Sequence, residues 1–226
     1  MTEQGRRRSD IYGRRLGRPL SAYQQGLIQN LLPKIAVPEG ALDLQALFPG
    51  ARGFAFEVGF GGGEHLAAQA LAHGDIGYIG CEPFLNGVAK LLGHIDEGKL
   101  GNVRVHMGDA RDVLARVPSQ SLSAAYVLFP DPWPKLRHHK RRFIQHATLD
   151  QLARAMKPGA ELRVATDHED YGVWALQHLT HDARFAWTAT RADDWRVRPG
   201  DWPATRYEQK AIAAERPCIY LRFTRI

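Results

Sequence analysis

The 226-residue chain is short of sulfur: two cysteines, Cys81 and Cys218, and three methionines. Two cysteines far apart in sequence form no metal-ligand spacing and no disulfide framework, and they read as small free thiols in a reducing compartment. No apolar run approaches the roughly 20 residues that span a bilayer; the run of note is Ala124–Phe129. The first twenty residues lack the apolar core of a secretory leader. These absences lead to the expectation of a soluble, cytoplasmic protein with no membrane partner. Lysine is scarce as well, since 23 of the 30 basic residues are arginine. Arginine favours planar, two-point contacts to phosphates or base edges.

The formal net charge is +6, unevenly spread. Residues 1–20 carry six Arg against Glu3 and Asp10, and residues 135–142 carry five cations and no acid. The rest of the chain is mildly acidic. Two basic islands on such a body point to a polyanionic partner. Residues 1–20 lack apolar periodicity and read as a mobile basic arm, leaving residues 21–226 as one domain. Ser21 is a plausible N-cap for a helix over 21–32.

From Gly53 the pattern alternates. Apolar strands are expected at 53–58, 76–81, 103–107, 122–129 and 160–166, with helices at 63–73, 84–97, 110–116 and 141–156 between them. Strands separated by crossover-length helices make βαβ units and a parallel sheet. A helix over 168–181, strands at 185–190 and 217–225, and a helix of about ten residues from near Thr205 complete the pattern. The fold expected is α/β: a mostly parallel, seven-stranded sheet with helices on both faces. A long loop at 191–204 holds Trp195 and Trp202, and loops of that kind in compact domains usually serve function.

The first strand runs into Glu57-Val58-Gly59-Phe60-Gly61-Gly62-Gly63-Glu64. Glycines there permit a sharp turn and a close approach to a ligand at a helix N-terminus. The dinucleotide fingerprint G-x-G-x-x-G fails, because its third glycine position is Glu64; the pattern is G-x-G-x-G. Glu82 ends the second strand, where a carboxylate can accept from both hydroxyls of an adenosine ribose. Asp109 follows the third strand, within reach of an adenine amino group. Glu57 lies just below the loop. Acids at 57, 82 and 109 suit a cationic sulfonium ligand better than a pyrophosphate. Each also has a bland reading, Glu57 and Asp109 as helix caps and Glu82 as a surface strand end.

The fourth strand ends in Pro130-Asp131-Pro132-Trp133-Pro134-Lys135. Three prolines stiffen this loop at the sheet's ligand edge. Asp131 offers a carboxylate and Trp133 a flat surface for a base. Lys135, Arg137, His138, His139, Lys140, Arg141 and Arg142 follow, suited to phosphates. The alternative is a solvated helix start, which would set cations against the helix dipole. Adjacent histidines without a third ligand make no metal site.

The loop Glu57–Gly63, Gly80-Cys81-Glu82, Asp109, the run from Pro130 to Arg142, Ala165-Thr166-Asp167 and Thr205-Arg206-Tyr207-Glu208-x-Lys210 together resemble the bacterial tRNA (guanine-N7)-methyltransferase family. The likeness runs from about residue 50 to the C-terminus, and the Asp131–Arg142 segment is its most specific part. It implies a Rossmann-like class I methyltransferase fold. It further implies S-adenosyl-L-methionine as donor, leaving S-adenosyl-L-homocysteine, and the variable-loop guanosine (position 46) of tRNA as acceptor. It places Glu57, Glu82, Asp109 and Asp131 at the cofactor, with Asp131 also catalytic, and the glycine loop adds Gly59, Gly61 and Gly63 to the expected cofactor site. Lys135, Asp167, Thr205, Arg206, Tyr207 and Glu208 fall on the substrate side, and Arg137 and Arg141 join them as phosphate contacts expected from their charge. Monomer and homodimer are both compatible with the chain.

Guanine N7 presents an in-plane lone pair and loses no proton, so in-line transfer needs no general base at that atom. Positioning and electrostatics should carry catalysis. A carboxylate facing the N1–H and exocyclic amine would stabilise the charge arriving on the purine; Asp131 is the first candidate, Asp167 and Glu208 the competitors. A nicotinamide oxidoreductase, an RNA-binding protein with a degenerate pocket and a methyltransferase for another RNA are the alternative readings.

Overall fold

The computed structural model describes residues 17–226. Helix α1 (Ala22–Asn30), opened by a Ser21/Gln24 capping box, leads through the short α2 (Leu32–Ile35) and α3 (Leu44–Leu47) to the sheet. Strands β1 (Gly53–Val58), β2 (Ile76–Cys81), β3 (Val103–His106), β4 (Leu122–Leu128) and β5 (Met156–Thr166) follow, with β6 (Phe185–Trp187) and β7 (Ile219–Arg225) at the end. Between them run α4 (Glu64–Ala72), α5 (Leu85–Gly98), α6 (Ala110–Leu114), α7 (His146–Ala155), α8 (Glu169–Thr180), α9 (Asp193–Arg196) and α10 (Arg206–Ala213).

The seven strands lie in the order β3-β2-β1-β4-β5-β7-β6, parallel except for β7, which runs antiparallel to both neighbours. All six residues of the central β1 are buried. Its alternate residues Phe54, Phe56 and Val58 pack on one face with α6, α7 and α8, and Ala55 packs on the other with α1, α4 and α5. The sheet thus has two covered faces, which is why its strands read as nearly continuous apolar runs.

Several features differ from the sequence reading, β5 among them, which begins at Met156 rather than 160. No helix spans 141–156: a 3-10 turn covers Leu136–Arg141, Arg142 breaks out at φ −55° and ψ 140°, and α7 starts at His146. The basic run therefore lies within the 3-10 turn and not at the N-terminus of an α-helix. β6 is three residues long rather than six. The 191–204 loop is packed, with Trp202 buried edge-on against Tyr220 and Asp201 paired to Arg163.

Residues 1–16 of the expected basic arm lie outside the described residues. Residues 17–20 are tied to the body: the Gly17 N–H donates to Asn86 Oδ1 at 2.8 Å, and Asn86 Nδ2 donates to the Arg18 carbonyl at 2.7 Å. Both cysteines are free, Cys81 buried and Cys218 half-buried.

Candidate active site

Beyond the carboxyl ends of β1 to β4 lies a cleft of about 920 Å³. Gly59 and Gly61 form its floor, with Glu82 and Asp109 from the ends of β2 and β3 and Asp131 from the loop after β4. That is where ligands sit in open parallel sheets, and the volume suits a nucleoside-sized molecule.

The glycine loop takes its shape from left-handed backbone: Gly59, Gly61 and Gly63 have φ of 64°, 57° and 81°. At Gly61 a Cβ would meet Tyr207 Cε2 at 2.9 Å, so the Tyr207 ring closes over the loop because no side chain intervenes. Glu82 clamps the loop from below: Oε2 accepts the Gly61 N–H at 2.8 Å and Oε1 accepts the Phe84 N–H at 2.9 Å. Burial pushes the Glu82 carboxyl above its ordinary value, the two N–H donors offset part of that, and the charge of Asp131 adds to it.

Asp109 combines two of its readings. Its Oδ1 caps α6 at the Arg111 N–H (2.9 Å), its Oδ2 meets Arg111 Nη1 (2.9 Å), and the residue still lines the cleft. Asp131 keeps solvent contact, yet the walls of the cleft strip enough water from it to raise its carboxyl above its ordinary value. Trp133 stands beside it with the Arg141 guanidinium 5.0 Å from its ring centroid. Arg141, Arg206 and Tyr207 line the cleft; Lys135, at the cap of the 3-10 turn, and Arg137, within it, are exposed and do not line it.

Other sequence-selected residues lie elsewhere. Glu57 is buried behind the loop, with Oε2 2.7 Å from His65 Nδ1, and is not in the cleft wall. Gly63 lies under the loop, where a Cβ would meet Leu91 at 2.7 Å. Asp167 pairs with Arg216 at 2.8 Å. Thr205 and Glu208 form the capping box of α10; Glu208 also accepts from the Tyr220 hydroxyl and pairs with Arg198 at 3.1 Å. Both competitors of Asp131 for the guanine edge are thus engaged outside the cleft wall. Arg142 faces inward: it is fully buried and bonded to the Pro132 carbonyl and Asp170.

The sequence reading missed part of the rim. Arg18, Lys90, Arg111 and Lys210 also line the cleft. Lys210 had a signal, standing one helical turn after Arg206 on the same face. Arg18 belongs to the basic arm read as suited to a polyanion, whereas Lys90 had no signal, because the fold alone brings it there. A cationic rim around a carboxylate floor separates a place for an anionic chain from a place for a cationic or hydrogen-bond-donating group. The floor fits a sulfonium nucleoside by this donor set: carboxylates at the ends of β2 and β3, and no Lys or Arg within the glycine loop.

Among the described residues no group of three or more His, Cys, Asp or Glu could hold a metal, and no helix is long and apolar enough to cross a membrane.

The chain matches, over residues 52–221, the family model described as "Putative methyltransferase". Among solved structures, the 16S rRNA methyltransferase KamB superposes with a TM-score of 0.60 at 16% identity, covering 83% of this chain and 95% of its own. An antibiotic-related methyltransferase gives 0.55 at 16% identity, covering 87% and 99%. At such identities these show the fold alone, the Rossmann-like fold of class I methyltransferases. In sequence, the chain is 52% identical to the tRNA (guanine-N(7)-)-methyltransferase of Hyphomonas neptunium, across 91% of this chain and 95% of that one. It is 50% identical to the enzyme of the same name from Sphingopyxis alaskensis, across 95% and 94%. With half of its residues shared over nearly its whole length, the chain belongs to the tRNA (guanine-N(7)-)-methyltransferase family.

Proposed function

We propose that the protein methylates guanine N7 in tRNA, at the variable-loop guanosine (position 46), with S-adenosyl-L-methionine as donor, in the cytoplasm. The observation that carries this reading is the cleft itself, which gathers Glu82, Asp109 and Asp131 on its floor and Arg18, Lys90, Arg141, Arg206 and Lys210 around it. When bound, the donor supplies a methyl group activated by a sulfonium.

The residues of the chain supply the rest. Glu82 and Asp109 are assigned the adenosine end, and the turn of Gly59 and Gly61 leaves room for the backbone to approach it. Asp131 is assigned the guanine edge, where its carboxylate accepts from the N1–H and exocyclic amine. Adenine presents no such pair of donors, so the same contact selects guanine. The charge arriving on the purine is then stabilised in a partly dehydrated cleft, where a fixed carboxylate acts more strongly than in water. No proton needs to leave N7. Trp133 and Tyr207 offer flat walls to the base, and Lys135, Arg137 and Arg141 are assigned phosphates.

The test is transfer of labelled methyl from S-adenosyl-L-methionine to an unmodified tRNA transcript and to a transcript lacking the variable-loop guanosine. Label in the first alone is expected. Label in both keeps the chemistry and removes the site; label in neither, with no cofactor bound, leaves an RNA-binding protein.

A further inference from the structure

The basic run after Trp133 ends in two adjacent arginines that face opposite ways. Arg141 lines the cleft, whereas Arg142 is the largest fully buried side chain among the described residues. A buried guanidinium is costly unless its charge and donors are met. Here Nη2 binds the Asp170 carboxylate and Nε donates to the Pro132 carbonyl at 2.9 Å, while Nη1 has no hydrogen-bond partner among the described residues. The cation also lies 4.9 Å from the Trp174 ring centroid and 5.6 Å from that of Tyr171. Asp170, Tyr171 and Trp174 all belong to α8. The same helix holds the next turn of chain, since Trp174 Nε1 donates to the Ile144 carbonyl at 2.6 Å.

Pro132 is the residue between Asp131 and Trp133. As a proline it has no N–H, so its carbonyl is the one backbone hydrogen-bonding group by which the loop can be gripped there. The loop also needs gripping. Phe129 and Trp133, which bracket the Pro130–Pro132 segment, are left-handed, at φ 50° and 44°. Such a conformation is unfavourable for an aromatic residue and persists only where the surroundings impose it. Arg142 makes no contact with the cleft itself.

We propose that Arg142 is a positioning residue for methyl transfer: from inside the fold, it holds the Asp131–Trp133 loop in its strained form by linking the Pro132 carbonyl to Asp170. This rests on the reading of Asp131 and Trp133 as the guanine site. The adjacent arginines divide the work, Arg141 toward the ligand and Arg142 toward the scaffold. Lysine cannot replace it, because an ammonium lacks the planar fork that serves a carbonyl and a carboxylate at once.

The experiment compares Arg142→Lys with Asp170→Asn, the second keeping a conservative change at an exposed carboxylate in case the first fails to fold. Steady-state methylation of tRNA should show kcat lowered about 10–100-fold in Arg142→Lys, the cost of a small misplacement, and to a lesser degree in Asp170→Asn. KM for tRNA and for S-adenosyl-L-methionine should stay within about threefold, as expected where only transition-state alignment is lost. Fluorine NMR of protein labelled with 5-fluorotryptophan gives a readout independent of activity. The Trp133 resonance, assigned through Trp133→Phe, should shift or broaden in both variants. That of Trp187, stacked on Phe223 across β6 and β7, should not.

An unchanged Trp133 resonance overturns the proposal whatever the activity. So does a loss confined to tRNA KM with a flatter salt dependence, which would make Arg142 a phosphate contact. A wild-type protein that methylates no tRNA would sink the functional reading alone, with the fluorine signals still deciding whether Arg142 sets the loop.

Discussion

Glu57 and His65 face each other across the turn from β1 into α4, Oε2 to Nδ1 at 2.7 Å, both side chains almost wholly buried. The His65 ring meets Tyr126 edge-on at 4.8 Å, and its Nε2 has no partner among the described residues. The acid that the sequence places at the cofactor thus serves as the anchor of the glycine loop, fixing the first turn of α4 to the sheet beneath it.

His65→Ala would leave the Glu57 carboxyl buried without its partner, at a cost of about 3–5 kcal/mol. For a chain of this size that corresponds to a drop in Tm of roughly 6–20 °C. Glu57→Gln combined with His65→Asn should lose less than His65→Ala alone, because no charge is stranded. Thermal unfolding of the three proteins decides it; a double variant as unstable as His65→Ala would show that the pair is not a unit.

Gly61→Ala tests the roof of the loop. The residue combines a φ of 57° with the Tyr207 ring 2.9 Å from where a Cβ would be. Alanine there costs about 1–2 kcal/mol for the left-handed backbone and pushes Tyr207 away. Affinity for S-adenosyl-L-methionine, measured by calorimetry, should fall at least about tenfold, the equivalent of roughly 1.4 kcal/mol. Adding Tyr207→Ala should recover part of the stability loss, since the two residues are in contact. Full additivity of the two losses would mean that the ring and the loop are independent.

The sheet was legible because its strands are short apolar runs broken by glycine, and because parallel order puts every strand's carboxyl end at one edge. Glu82, Asp109 and Asp131 could be gathered from that rule alone. Arg142 could not, since a run of cations reads as one solvated face and the aromatic residues that shelter the last of them arrive with α8. Thr205 and Glu208 carried a legible capping-box spacing, which the family likeness overrode. Asp167 is drawn aside by Arg216, a partner that only the antiparallel return of β7 brings near. The helix expected from 141 begins at 146 because Arg142 leaves the 3-10 turn and the buried Phe143 and Ile144 form a bend before α7.

Lys135 and Arg137 stand exposed on the turn beyond Trp133. If each neutralises one phosphate, Lys135→Ala or Arg137→Ala should weaken tRNA binding without altering cofactor affinity. The slope of log K against log salt should flatten by about 0.7–0.9 for each. Filter binding across a salt series measures this. An unchanged slope with weaker binding would place the residue's effect on the fold of the turn instead.

Asp131 carries a cost in stability that its assigned role explains. Burial raises its carboxyl above the ordinary value, so between the unfolded and the folded value the folded chain holds more protons than the unfolded one. Stability then falls as pH rises through that window, and above it the full penalty stands. Glu82, raised by burial with the charge of Asp131 contributing, adds in the same direction. Asp131→Asn removes the first penalty and eases the second, so the ligand-free variant should melt higher than the wild type at pH 7. The gain should shrink as pH falls and vanish below about pH 4, where the unfolded carboxyls are protonated too. Methylation should be lost in the same variant, since the amide carries no charge to set against that arriving on guanine. In the wild type the rate should decline on the acid side at a pH above the ordinary value of an aspartate carboxyl. Calorimetric melts at pH 7 and pH 4, with initial rates across the same interval, test both halves; an Asp131→Asn protein that melts lower at pH 7 while keeping its activity would remove Asp131 from the site.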